Sequence, residues 1–123
     1  MSDSKGTVLV VDDEDLVLQV ASDLLRHLGY SVLTSPSGEK AIERIRSGLM
    51  PDLVLLDVIM PGLGGVETFR TIHALKPELP VLISTGYAER GAVQALTEEG
   101  VRGFVNKPYN METLARRVGD VLG

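Results

Sequence analysis

The sequence predicts an α/β domain, a doubly wound five-stranded parallel sheet with helices on both faces. Two observations carry that prediction. Short apolar runs rich in β-branched residues recur at Thr7–Val11, Leu53–Leu56, Val81–Ile83 and Gly103–Asn106, with helical periodicity between them. Runs without polar alternation read as strands buried on both faces, as in a parallel sheet. Each run also ends in polar residues: Asp12-Asp13, Asp57, Ser84-Thr85 and Lys107-Pro108 in turn. Ligands of open parallel sheets sit beyond the carboxyl ends of the strands, so the four polar ends share one edge.

Each element has its own warrant. After Asp12-Asp13, Val17, Val20, Ala21, Leu24, Leu25 and Leu28 recur at helical intervals, and Gly29 is a natural stop. Tyr30–Thr34 is a brief second strand. A helix follows over Gly38–Arg46 with Ala41, Ile42 and Ile45 inward, closed by Ser47-Gly48. The third strand is Asp52–Asp57, and Met60–Gly65 is a loop by its Pro and Gly content. Val66, Phe69 and Ile72 mark a third helix that ends near Pro77. Pro80 fits only a strand start or edge, so the fourth strand begins there. The fourth helix, Ala88–Glu99, is the weakest, because Gly91 costs roughly 1 kcal/mol against alanine and the stripe of Ala92, Val93, Ala95 and Leu96 is thin. Asn110 caps a fifth helix with Met111, Leu114, Ala115, Val118 and Val121 or Leu122 on one face. Alternation of this kind with right-handed crossovers gives the doubly wound sheet.

Composition bounds the function. The 123 residues suit one domain, expected to span 1–123 with its core over about 7–122. No apolar stretch approaches the roughly 20 residues of a membrane span, and Met1–Gly6 lacks an apolar leader segment. A cytoplasmic protein without membrane contact is expected. The absence of cysteine removes disulfides, thiol catalysis and thiolate metal sites. A net charge of −5 argues against nucleic acid as a direct partner.

Charge then points to chemistry. With the first and third strands adjacent, Asp12, Asp13 and Asp57 bring three carboxylates together. Two such charges about 4 Å apart repel by roughly 4 kcal/mol at an effective dielectric near 20. The cluster is tolerable when one member is protonated or when a cation binds. Oxygen ligands without His or Cys select a hard ion, Mg²⁺. Lys107 adds an ammonium and Thr85 a hydroxyl at the same edge. Together these groups suit a phosphoryl group held on an aspartate. Taken singly, an Asp at a strand end is an ordinary turn former, and Thr85 or Lys107-Pro108 is ordinary loop sequence. The joint pattern is what has meaning.

That pattern resembles the receiver domain of two-component response regulators. The matching segments are Val10–Glu14, Leu55–Gly62, Ser84–Tyr87 and Phe104–Tyr109, and the resemblance runs from about Thr7 to Leu122. It implies the flavodoxin-like strand order 2-1-3-4-5. It also implies that Asp57 accepts a phosphoryl group from a phosphohistidine on a sensor histidine kinase or histidine phosphotransfer protein. Asp13 is then a direct Mg²⁺ ligand, and Asp12 acts directly or through water. Asp57 and the backbone carbonyl of Ile59 complete the protein ligands. Lys107 and Thr85 contact phosphoryl oxygens, Gly86 leaves room for them, and the Lys107-Pro108 peptide is cis. Thr85 and Phe104 form the switch pair, by which the ring fills space that the hydroxyl vacates. The responsive face is the fourth helix, fifth strand and fifth helix, which also offers a surface for a receiver–receiver dimer. The chain is expected to promote only its own phosphorylation and dephosphorylation.

The sequence departs from the family pattern in places. Gly64 stands where relatives often have Asp. Ile59 and Tyr87, two beyond Asp57 and Thr85, are bulky and unable to activate water, so a long-lived phosphoaspartate is expected. His27 and His73 fall late in helices, where a solvated residue beside the C-terminal dipole is the expected role. Rival readings fail on particular residues. An FMN or nucleotide binder wants Gly, Ser or Thr where Asp12–Asp15 stand, and an aspartate-nucleophile phosphatase wants an acid where Ile59 stands. A degenerate receiver, acting as a phosphorylation-independent interaction module, is the serious alternative. The Ser84–Tyr87 and Gly103–Tyr109 stretches are similar to receivers attached to hybrid sensor kinases.

Overall fold

The computed structural model describes residues 4–60, 62–86 and 90–122, with the side chains of residues 90–93 outside that description. In chain order the elements are β1 (Thr7–Val11), α1 (Asp15–His27), β2 (Ser31–Ser35), α2 (Gly38–Arg46), β3 (Leu53–Asp57), α3 (Gly64–Leu75), β4 (Val81–Thr85), α4 (Arg90–Glu99), β5 (Gly103–Asn106) and α5 (Met111–Leu122). The strands pair in the order β2-β1-β3-β4-β5, parallel throughout. This is the expected flavodoxin-like architecture, with β1 and β3 flanking the point where strand order reverses.

Side-chain alternation along each strand divides the core in two. Val8, Val10, Leu53, Leu55, Leu82 and Val105 pack toward α1 and α5, against Leu18, Leu25, Leu114 and Val118. Leu9, Val11, Val54, Leu56, Val81 and Ile83 pack the other way, against Ile42 and Ile45 of α2, Phe69 and Ile72 of α3 and Leu96 of α4. Burial of each such side chain is worth about 1.5–3 kcal/mol. Because both sheet faces are covered, the strands are apolar at successive positions, which is why the sequence lacks strand alternation.

Local signals explain the boundaries. Ser37 Oγ accepts from the Lys40 N–H at 3.2 Å at the start of α2, and Asn110 Oδ1 accepts from the Thr113 N–H at 2.8 Å at the start of α5. Gly29 ends α1 at φ +103, a conformation that only glycine adopts without strain.

Several expectations shift. The second strand is Ser31–Ser35 rather than Tyr30–Thr34, with Tyr30 buried under α1. The third begins at Leu53, because Asp52 turns its carboxylate to accept the Thr7 N–H at 2.7 Å. In α1 the buried positions are Leu18, Ala21, Ser22 and Leu25, whereas Val20 is 41% exposed. Of the fourth helix, residues 88 and 89 lie outside the described residues, as do the side chains of Gly91, Ala92 and Val93; Leu96 is buried and Ala95 exposed.

Candidate functional site

The alternation that divides the core also aims the polar strand ends. Asp57 continues the side of Leu53 and Leu55, Ser84 that of Leu82, and Lys107 that of Val105, all toward α1 and α5. Asp12, one residue past β1, continues the side of Val8 and Val10. Thr85 and Phe104 belong to the opposite face, with Ile83. The site is therefore two-sided. Carboxylates and ammonium gather above one half of the core, while the hydroxyl and the ring lie on the other.

Carboxylate oxygens of Asp12, Asp13 and Asp57 lie within 4.8 Å of one another. Asp12 and Asp57 are buried and Asp13 is exposed. Lys107 Nζ bridges the buried pair, 2.8 Å from Asp12 Oδ2 and 3.2 Å from Asp57 Oδ2. Asp12 Oδ1 accepts from the Glu14 N–H at 3.0 Å, and Asp57 Oδ1 accepts a longer bond from the Ile59 N–H at 3.4 Å. Asp12 Oδ2 has the Lys107 charge beside it but no well-aligned hydrogen bond.

Burial, followed by the charge of Asp12, pushes the Asp57 carboxyl up from 3.8 to about 6, although Lys107 and the Ile59 N–H pull it down. Burial lowers the Lys107 ammonium, but contact with Asp12 and the charges of Asp57 and Asp12 outweigh burial and raise it. One ammonium thus offsets part of the repulsion between two buried acids. The third acid, Asp13, leaves the group net negative, an arrangement that attracts a hard cation. Asp12 Oδ2, ion-paired with Lys107 but without a well-aligned hydrogen bond, and the all-oxygen donor set fit Mg²⁺.

The other expected residues fall as follows. Thr85 is the last residue of β4, buried, and its carbonyl accepts the Lys107 N–H at 2.9 Å. The Lys107-Pro108 peptide is cis. Ile59 presents its side chain to solvent, 58% exposed. Phe104 is half-buried against the α2–α3–α4 half of the core. Tyr87 lies outside the described residues. Gly64 adopts φ +79, where an Asp side chain would be strained. His27 is exposed as expected, whereas His73 is half-buried and stacked on Phe69 at 5.2 Å between ring centroids. Neither histidine joins the acid cluster.

Three features escaped sequence reasoning. Ser84, opposite Asp57 in the β3–β4 register, is fully buried and hydrogen-bonded to the Tyr109 hydroxyl. Burial pushes the Tyr109 phenol up to about 12. Leu16, 72% exposed, and Val20 line an open apolar groove of about 410 Å³ with Val17, Pro108 and Tyr109, and the groove reaches Lys107. The available signals were a hydroxyl beside Thr85, a phenol two residues past Lys107, and apolar residues off the inward stripe of α1.

The family model of the response regulator receiver domain matches residues 8–119. The transcriptional regulatory protein ZraR of Escherichia coli is 40% identical over 87% of this chain and 24% of its own length. The sensor kinase CckA of Brucella abortus is 33% identical over 95% of this chain and 12% of its own. The chain therefore spans less than a third of the length of these curated relatives. A solved response regulator receiver domain from Clostridium thermocellum superimposes with a TM-score of 0.89 at 28% identity, covering 94% of this chain and 93% of that one. A match running from the second residue of β1 into the last helix reaches all five strands, and the chain belongs to the response regulator receiver domain family.

Proposed function

We propose that this receiver takes a phosphoryl group from the phosphohistidine of a sensor histidine kinase or histidine phosphotransfer protein onto Asp57. The observation that carries this reading is the Lys107 ammonium held between two buried carboxylates, 2.8 Å from Asp12 and 3.2 Å from Asp57. In the transfer an Asp57 oxygen forms a bond to phosphorus as the P–N bond breaks. The imidazole leaves with that electron pair and takes a proton from solvent. Lys107 then pairs with a phosphoryl oxygen as a point charge, and Thr85 donates its hydroxyl to another.

Asp12, Asp13, Asp57 and the Ile59 carbonyl would hold Mg²⁺. When bound, Mg²⁺ offsets the negative charge of the carboxylates and of the incoming phosphoryl oxygens. The resting switch fits the same reading. Thr85 and Phe104 share one face of neighbouring strands, so a Thr85 side chain drawn toward the phosphoryl group frees space that the half-buried ring can fill. That change alters the α4–β5–α5 face, which is also the proposed surface for a receiver–receiver dimer. The apolar groove along α1 supports a helix of the histidine-bearing partner as its occupant, because the groove ends at Lys107 and so at the acceptor.

Intact mass after incubation with acetyl phosphate and Mg²⁺ tests the proposal. One phosphoryl group is expected on the protein, absent in Asp57→Asn and absent when EDTA is added first. No gain under any condition would falsify the phosphoacceptor reading and favour a phosphorylation-independent interaction module.

A further inference from the structure

Lys107 must hold its ammonium between Asp12 and Asp57, yet it stands on a loop. A long side chain with several rotatable bonds keeps one position only when its backbone is fixed and its rotamer is costly to leave. The main chain is fixed on one side by the Lys107 N–H donating to the Thr85 carbonyl at 2.9 Å. On the other side, Asn110 caps α5. Between them, Pro108 has no N–H to give and is exposed.

Tyr109 supplies the missing tie. Its ring packs against the α1–α5 half of the core, and its hydroxyl is hydrogen-bonded to Ser84 Oγ. Ser84 is fully buried and is the register partner of Asp57, on the same face of the sheet. The tie therefore runs from the strand beside the acceptor to the loop that carries the lysine. The phenol, pushed up to about 12 by burial, stays neutral, and either hydroxyl can donate in this bond. A phenylalanine would fill the same ring volume but leave the Ser84 hydroxyl buried and unpaired.

We propose that Ser84 and Tyr109 form a clasp that positions the Lys107 ammonium between Asp12 and Asp57, Tyr109 being a positioning residue that acts through Lys107. The proposal rests on the phosphoacceptor reading above and names a further part of that site. Acetyl phosphate serves as the probe. An Asp57 oxygen–phosphorus bond forms as the acetyl oxygen–phosphorus bond breaks, and acetate leaves with the electron pair.

The test is a double-mutant cycle on the rate of phosphoryl gain, read by intact mass with Mg²⁺ present. Tyr109→Phe is expected to slow the wild-type protein by about five- to tenfold, the usual weight of one lost buried hydrogen bond. In a Lys107→Gln background the same change is expected to slow the reaction by less than about twofold, since a residue acting through Lys107 loses its effect there. Equal slowing in both backgrounds, or none in either, overturns the clasp. Should Tyr109→Phe fail to fold, Ser84→Ala runs the same cycle. If the wild type gains no phosphoryl group, the phosphoacceptor reading falls separately. The clasp is then decided by the ¹⁵N resonance of the Lys107 ammonium, expected to move in Tyr109→Phe and overturning the clasp if unchanged.

Discussion

Asp57 is costly to the fold when it is ionised. Its carboxyl is pushed from 3.8 up to about 6 by burial first and by Asp12 second. A raised carboxyl holds its proton in the folded protein at pH values where the unfolded chain has released it. Folded protein then binds more protons than unfolded between pH 3.8 and about 6, so stability falls as pH rises through that window. Without Mg²⁺, Asp57→Asn is expected to raise stability at pH 7.5 by about 1–3 kcal/mol. The gain should vanish below about pH 4, where both forms are uncharged. Urea unfolding in EDTA across that range checks it, and a pH-independent gain would refute the assignment. At Ile59 the expectation is kinetic. Its N–H lies 3.4 Å from Asp57 Oδ1 and its side chain is exposed, with no group to activate water. An Ile59→Asn, Tyr87→Glu variant is expected to lose its phosphoryl group faster than the wild type, as intact mass over time would show. The type of residue at these positions was legible in the chain. The Ser84–Tyr109 bond was not, because hydroxyls 25 residues apart meet only through strand register.

The helices show where periodicity suffices and where it fails. In α2, Ala41, Ile42 and Ile45 face inward as their spacing requires. In α1 the spacing also admitted Val20, but the buried face is Leu18, Ala21, Ser22 and Leu25. Five apolar residues in the first turns, Leu16, Val17, Leu18, Val20 and Ala21, exceed what one face needs. Only the position of the sheet selects among them. Packing between helices is also invisible in sequence. A Cβ on Gly38 at the start of α2 would overlap the Thr68 hydroxyl of α3, which is itself buried and bonded to the Gly64 carbonyl at 2.6 Å. Gly38→Ala is expected to destabilise by about 1–3 kcal/mol, less in a Thr68→Ala background. In α5 a Cβ on Gly119 meets nothing within 4 Å, so Gly119→Ala is expected to stabilise by about 1 kcal/mol. Thermal unfolding of Gly38→Ala, Thr68→Ala, their double variant and Gly119→Ala separates these outcomes.

The whole molecule carries a net charge of −5, and three of its acids converge on one edge of the sheet. Mg²⁺ bound there would couple to global stability, since the unfolded chain has no such cluster. At a hundredfold excess over its dissociation constant, Mg²⁺ is expected to add about 2.7 kcal/mol. The accompanying rise in Tm should be lost in Asp13→Asn, whose exposed carboxylate can be removed at little structural cost. A cation held there would relieve at the level of the fold the Asp12 repulsion that adds to burial in raising Asp57.

The chain alone determined the class of fold, because covered strands must be apolar at successive positions and helices must repeat near every fourth. It also determined the chemistry of the edge, because parallel strands carry whatever follows them to the same side. Tertiary structure decided the rest. Strand alternation put Asp12, Asp57 and Lys107 above one half of the core, and Thr85 and Phe104 against the other. Register set Ser84 beside Asp57 and so gave Tyr109 its partner. Helix rotation against the sheet left Leu16 and Val20 in the open. Periodicity fixes which residues share a face of an element, but where that face points depends on contacts between residues far apart in the chain.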